Sequence, residues 1–235
     1  MDGRADGGRV AQTLALIHTS PTLTPIFGAL CAEQMPGITL FHMVDESLIR
    51  DTIEAGEVRK MTIRRLLGMV ESAAAAGADA VMVTCSTLGP AVTLVQQMFD
   101  LPVIRVDEAM AEAAVRTGHR LGVIATLRTT LEPTTALLRD KAAQAGRDVD
   151  LVECLCDGAF EAVLAGDTAT HDRIVSAALL NEMRGMDAVV LAQASMARVV
   201  NSMPAGVLRM PVLSSPELSV RRAREILQEM PGAAV

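Results

Sequence analysis

Short apolar runs of strand length alternate with longer segments of helical spacing along most of this 235-residue chain. Period and length of the runs predict eight strands, at residues 13–17, 38–43, 80–84, 103–106, 121–125, 150–155, 188–192 and 212–213. Apolar spacing and the content of Ala, Leu and Arg predict helices at 54–76, 107–117, 132–145, 168–184 and 217–230. This alternation is typical of a doubly wound α/β protein with parallel sheets.

An internal repeat divides the pattern into two similar halves. DAVMVTCSTLGPAV at 79–92 aligns with DAVVLAQASMARVV at 187–200 at an offset of 108, and flanking segments align at offsets of 107 and 109. We therefore predict two pseudo-symmetric lobes, each with a four-stranded parallel sheet flanked by helices, that face each other across a cleft. The first lobe takes residues 1–107, with a C-terminal helix in 215–235 packing on it, and the second takes 108–214.

The repeat also indicates where a ligand binds, because open parallel sheets bind ligands beyond the carboxyl ends of their strands. Four such loops follow the predicted strands, and hydroxyls and helix N-termini suit a small carboxylate there. The candidate binding residues are Thr19, Ser20, Thr84, Ser86, Thr87, Thr126, Arg128, Thr130 and Ser195. Neither standard Gly-rich phosphate loop is present, so nucleotide binding is not supported.

Cys85 is the residue in these loops whose chemistry is most specific. It follows a buried strand and precedes a helix expected to begin within residues 87–89. The helix dipole and free N–H groups at that position lower the pKa of a thiol, so we expect an accessible thiolate able to exchange a proton. The alternative is that Cys85 simply packs in the core, as buried cysteines commonly do.

Composition excludes several classes of function. With 28 acidic against 21 basic residues, a net charge of −7 and 2% aromatics, the chain lacks the material for nucleic-acid binding. Two stretches without charge, 10–32 and 80–99, are interrupted by Pro, Ser, Thr and Gln and do not predict a membrane span.

Four irregularly spaced cysteines and no secretory leader favour the cytoplasm. Cys154 and Cys156 lack two further ligands for zinc, and Cys31 is expected in the core.

Three motifs, with the duplication, resemble the cofactor-independent aspartate/glutamate/hydantoin racemase superfamily over nearly the whole chain. They are VTCST at 83–87, IATLRTT at 124–130 and LAQASMA at 191–197. The resemblance implies a catalytic Cys85 in the cleft, a small carboxylic or amino acid as substrate, no pyridoxal phosphate and no metal. It also suggests a homodimer.

One position departs from that superfamily, whose amino-acid racemases use two cysteines on opposite sides of the substrate carbon. The repeat places Gln193 at the second position, and an amide cannot shuttle a proton. Three explanations stay open: His18, with Asp45 behind it, replaces the second thiol; a malonate-type decarboxylase needs only one proton donor; or Cys85 adds to a carbon–carbon double bond as in maleate isomerases. We expect a racemase or isomerase, with a decarboxylase as the alternative. A catalytically lapsed binding protein for an acidic metabolite is the remaining hypothesis.

Overall fold

A computed structural model describes residues 12–230 and contains the eight strands that the sequence predicts. The strands are β1 (Thr13–His18), β2 (Thr39–Val44), β3 (Ala80–Val83), β4 (Val103–Arg105), β5 (Arg120–Ala125), β6 (Asp150–Leu155), β7 (Ala188–Leu191) and β8 (Val212–Ser214). The α-helices are α1 (Leu23–Gln34), α2 (Glu46–Ala55), α3 (Lys60–Ala75), α4 (Gly89–Val95), α5 (Glu108–Thr117), α6 (Arg128–Gln144), α7 (Ala159–Leu164), α8 (Thr168–Ala177), α9 (Ala197–Ser202) and α10 (Ser215–Glu229).

The strands form two four-stranded sheets with the same topology. Their orders are β2-β1-β3-β4 and β6-β5-β7-β8, and every pair is parallel. The two central strands of each sheet are almost wholly buried, because helices cover both faces. The expected fold class, two pseudo-symmetric α/β lobes with four-stranded parallel sheets, is confirmed.

Helices α5 and α10 are exchanged between the lobes. Helix α5 follows β4 of the first sheet, yet its Met110, Ala111 and Ala114 pack in a core with Leu121 and Val123 of the second sheet. Helix α10 follows β8 of the second sheet, and its Val220, Ala223 and Leu227 pack in a core with β1, β3 and α1. Each lobe is therefore completed by a helix that follows the last strand of the other.

The main difference from the predicted elements lies at residues 54–76, where we expected one helix. The predicted helix corresponds to α3 (Lys60–Ala75), and only its first two residues overlap α2 (Glu46–Ala55), most of which was not predicted. Gly56 separates them with φ of 73°, a left-handed conformation that glycine adopts readily and that ends a helix. Helices α1, α7 and α9 were not among the predicted elements, and α6 begins at Arg128 rather than at residue 132. Within residues 12–230, no helix is long and apolar enough to cross a membrane.

Candidate functional site

The loops at the carboxyl ends of the central strands come together where the two lobes meet. The hydroxyl oxygens of Thr87, after β3, and Thr130, in the first turn of α6, are 2.7 Å apart. The same helix packs against the 3-10 turn Ser86–Leu88, which directly follows Cys85. The contact between the lobes therefore lies beside Cys85.

Cys85 is held in a nearly enclosed position, with 9% of its surface exposed. Its thiol forms hydrogen bonds with the side chains of Thr19 and Thr87 and with the backbone N–H of Thr87. The Leu88 N–H donates to the Cys85 carbonyl oxygen at 3.1 Å and also stabilises the thiolate. Burial raises the pKa of the Cys85 thiol, although these hydrogen bonds act in the opposite direction. The expectation of a lowered pKa at an accessible thiol is thus wrong. Loss of water around the sulfur outweighs the hydrogen bonds and the following short turn.

Gln193 occupies the equivalent place in the second lobe and is held in an equivalent way. Its Oε1 accepts hydrogen bonds from the backbone N–H of Thr126 at 2.6 Å and from the Thr126 hydroxyl at 2.9 Å. Thr126 corresponds to Thr19 by the repeat offset of 107, so each lobe pairs a strand-end threonine with the residue at the cysteine position. None of the hydrogen bonds among residues 12–230 uses Gln193 Nε2. The amide is thereby oriented with its two N–H donors available.

His18 is completely buried at the end of β1, and both of its ring nitrogens have partners. Nδ1 lies 2.7 Å from Thr84 Oγ1, and Nε2 lies 2.8 Å from His42 Nδ1. The two imidazoles stack with ring centroids 5.1 Å apart. Burial, with a smaller contribution from His42, lowers the pKa of His18 to about 4. This geometry leaves His18 no free nitrogen for a substrate, in contrast to the hypothesis that it replaces the second thiol.

Asp45 does not stand behind His18. Its carboxylate accepts hydrogen bonds from Ser47 and Arg65, and these hold its pKa below the usual value despite partial burial. The residue behind His18 is His42, which was not among the candidate site residues. The parallel register sets His42 beside Leu16, on the same face of the sheet as His18. The sequence signal for this pair was one histidine on each of two neighbouring strands, at positions whose side chains lie on the same face of the sheet.

The remaining predicted binding residues divide into buried and exposed groups. Those that are buried near Cys85 or Gln193 are Thr19, Thr84, Ser86, Thr87, Thr126 and Thr130. Ser20 is half-buried and forms a hydrogen bond with Thr22, whereas Ser195 is exposed. The Arg128 side chain is 70% exposed and lies 3.8 Å from Glu132 on its own helix. The structure thus brings the threonines and Ser86 together, while Arg128 and Ser195 face solvent.

A buried ion pair beside the site was missed from the sequence. Arg105, at the end of β4, donates to both carboxylate oxygens of Asp107 at 2.7 and 3.1 Å, and the pair is almost fully enclosed. The guanidinium also lies 3.4 Å from the carbonyl oxygen of Pro133 on α6. A Cβ at Gly89 would overlap it. An arginine inside an otherwise apolar strand was the available signal.

The other three cysteines lie away from Cys85 in the cores. Cys31 is buried as expected, and burial raises its pKa to about 11. Cys154 and Cys156 share one face of β6 and its extension, and their side chains are hydrogen-bonded to each other. This contact lowers the pKa of Cys154 to about 7, and with burial it raises that of Cys156. Among the described residues, no cluster of three or more His, Cys, Asp or Glu side chains could hold a metal ion.

Together these features define a duplicated α/β protein with one thiol and one amide at equivalent positions between its lobes. The family model for Asp/Glu/Hydantoin racemase matches residues 16–223, and the chain belongs to this family. A search of curated protein sequences finds no significant match.

Solved structures of racemases share the fold at low sequence identity. A glutamate racemase from Bacillus anthracis superimposes with a TM-score of 0.72 at 19% identity, covering 92% of this chain and 82% of that one. For the aspartate racemase of Picrophilus torridus the TM-score is 0.66 at 14% identity, with 89% and 91% covered. For the allantoin racemase of Klebsiella pneumoniae it is 0.64 at 17% identity, with 92% and 87% covered.

Proposed function

We propose that the protein is a cofactor-independent racemase or isomerase that acts on a small carboxylic or amino acid with Cys85 as its one reacting thiol. The observation that carries the proposal is the equivalence of two pairs, Thr19 with Cys85 and Thr126 with Gln193. One lobe supplies a group that can exchange a proton or attack carbon, and the other supplies a fixed pair of N–H donors. Membership of the racemase family supports the same class of reaction.

Gln193 binds an oxygen of the substrate carboxylate in this proposal. Its Oε1 is occupied by Thr126, so its Nε2 donates to the substrate. An amide neither gives up nor accepts a proton near neutral pH, and Gln193 therefore serves binding and orientation. The buried hydroxyl of Ser86 provides a further donor, whereas the one proton of the Thr126 hydroxyl is used by Gln193 Oε1.

Cys85 performs the chemical step in one of two ways. As a base, its thiolate removes the proton on the carbon next to the carboxylate, and a water molecule on the opposite face protonates the resulting enediolate, which inverts that carbon. The hydroxide that is left takes the proton from Cys85 and restores the thiolate. As a nucleophile, the thiolate adds to one carbon of a double bond, whose π electrons move to the carboxylate-stabilised neighbour. Rotation about the new single bond and loss of the thiolate then give the other geometric isomer. Both ways start from the thiolate, which the Thr19 hydroxyl and the turn N–H groups stabilise.

The raised pKa of Cys85 favours a second candidate, a malonate-type decarboxylase. A thiol that is protonated at neutral pH is suited to give a proton rather than take one. Loss of carbon dioxide breaks a carbon–carbon bond of a malonate and leaves an enediolate, which takes the Cys85 proton. The thiolate then regains a proton from water, so the cycle needs no second base.

Proton NMR in deuterated water distinguishes these reactions. The protein is incubated with L- and D-aspartate, L- and D-glutamate, hydantoins, maleate and substituted malonates. We expect exchange, isomerisation or decarboxylation of one class, abolished in Cys85→Ala. Turnover that persists in Cys85→Ala would overturn the proposed role of the thiol. Measurable binding with no change in any compound would instead identify a binding protein for acidic metabolites.

The Gln193→Cys variant tests the assignment of the second position. It supplies the second thiol that two-base racemases use, and we expect new or faster racemisation of an amino acid if only that thiol is lacking. No gain would contradict this explanation of Gln193. The proposal also includes a cytoplasmic homodimer active without pyridoxal phosphate, tested by light scattering and by the absorption spectrum of the purified active protein.

A further inference from the structure

We propose that His42, His18 and Thr84 form a positioning unit that holds Cys85 against Thr19. The inference rests on the proposed function in taking Cys85 as the reacting thiol. The three side chains form a continuous chain of contacts of 2.8 Å from His42 to His18 and 2.7 Å from His18 to Thr84. None of them contacts the substrate in this assignment.

The Thr84 hydroxyl determines which atom donates in each of these hydrogen bonds. The Thr84 hydroxyl donates its one proton to the Ile17 carbonyl oxygen at 3.1 Å, so it accepts from His18 Nδ1. His18 therefore carries its proton on Nδ1, and its Nε2 accepts from His42 Nδ1–H. All donors point from the partly exposed His42 towards the core, and the neutral tautomers satisfy each group.

The position of the chain relates it to the thiol. His18 and Thr84 end the strand and loop segments immediately before Thr19 and Cys85, the two residues whose side chains are hydrogen-bonded. At the equivalent positions of the second lobe stand Ala125 and Ala192, two residues that cannot form such a bond. In the lobe that carries the thiol, a hydrogen bond thus joins the residues before Thr19 and Cys85, and the lobe that carries the amide has no such side-chain bond at these positions.

This assignment changes the role of Thr84. Its hydroxyl was a candidate donor to the substrate carboxylate, but its proton is used by Ile17. Thr84 is then a positioning residue, and its removal acts on the Cys85 thiol even when no substrate is present.

The test is the rate of Cys85 alkylation by iodoacetamide at pH 7.5, followed by peptide mass mapping. Thr84→Val removes the hydrogen bond to His18 and so weakens the Thr19 hydrogen bond to the thiolate. Alkylation should then be about fivefold slower, which corresponds to the free energy of one typical hydrogen bond. Thr84→Ser keeps the hydroxyl and should retain the wild-type rate. A merely loosened loop would expose the sulfur and speed alkylation, so slower labelling separates positioning from general destabilisation.

Thr135→Val is the matched control. Thr135 is buried on α6, and its hydroxyl has no partner among residues 12–230, so this variant should label at the wild-type rate. Nitrogen-15 NMR of the wild-type imidazoles should place the His18 proton on Nδ1. A proton on Nε2, or a wild-type alkylation rate in Thr84→Val, would overturn the inference. Neither readout requires turnover, so failure to find a substrate, or activity in Cys85→Ala, counts against the proposed function alone.

Discussion

The hydroxyls of Thr87 and Thr130 form a buried hydrogen bond of 2.7 Å that joins the two lobes. Thr87 follows Cys85 by two residues, and Thr130 follows Thr126 by four. The bond therefore connects the loop that carries the thiol to the helix that begins beside Gln193, and it fixes the separation of the two loops.

Replacing one of these threonines should destabilise the protein. Thr87→Val leaves the Thr130 hydroxyl buried without a partner, and Thr130→Val leaves the Thr87 hydroxyl with the Cys85 thiol as its remaining partner, so each change should cost about 1–2 kcal/mol in the free energy of unfolding. The double variant replaces both partners by apolar groups of similar shape, so its loss should be smaller than the sum of the two. Urea denaturation measures all three.

Thr134→Val provides the control for this cycle. Thr134 is fully buried on the same helix, and its hydroxyl has no partner within the described part of the chain. The change should leave the unfolding free energy within about 0.5 kcal/mol or raise it. Strictly additive losses at Thr87 and Thr130 would contradict a direct bond between them.

Gly89→Ala should displace the buried ion pair. The added methyl group would overlap the Arg105 guanidinium, which is held against Asp107. Separating two buried charges from each other is costly, and we expect a loss of about 2–4 kcal/mol in unfolding free energy. Gly68→Ala, in the middle of α3 with open space around it, is the matched control and should be neutral or stabilising. Equal stability of the two variants would show that Arg105 moves aside freely.

Cys154 should be alkylated faster than Cys85 or Cys31 near neutral pH. Its pKa is lowered to about 7 by the hydrogen bond from Cys156, and it is partly exposed, whereas burial raises the pKa of the other two. The sequence led us to expect the accessible thiolate at Cys85 instead. Cys156→Ala removes the bond and should slow Cys154 labelling about tenfold at pH 7, as its thiolate fraction falls. An unchanged Cys154 rate in that variant would refute the thiol pair.

Stability should decrease as the pH is lowered through the titration of His18. The pKa of this imidazole is about 4 in the folded protein and 6.5 when unperturbed, so the unfolded chain binds more protons between these values. The contribution is fully present above pH 6.5 and is lost progressively as pH falls towards 4, by up to about 3 kcal/mol. His18→Gln removes this contribution but keeps the carboxylates that titrate in the same range. The difference in unfolding free energy between the wild type and His18→Gln should therefore decrease as the pH falls from 6.5 to 4. A difference that does not depend on pH would contradict the prediction.

Much of the fold follows from sequence pattern. Buried strands such as Ala80–Val83 are continuous apolar runs, and the repeat gives the loops that meet between the lobes. Most of α2 was not predicted, and the helix predicted at 54–76 ran through the break that Gly56 makes between α2 and α3. Its left-handed φ is the property that divides them.

The candidate site was less predictable, because its properties depend on burial and on contacts between distant residues. The positions of Cys85 and Gln193 follow from the repeat, but the direction of the Cys85 pKa shift depends on how deeply the fold buries the thiol. The His18 contacts depend on strand register, which brings in His42 from 24 residues away. A sequence pattern specifies neither the depth of burial of a side chain nor the register between two strands.

The exchange of α5 and α10 has a consequence for biosynthesis. The first sheet receives one of its covering helices from residues 215–229, which are translated after all eight strands. The amino-terminal lobe cannot shield that apolar face until these residues have been translated. Its folding is thus coupled to the synthesis of α10, and a product cut before residue 215 would expose an apolar surface to chaperones and proteases.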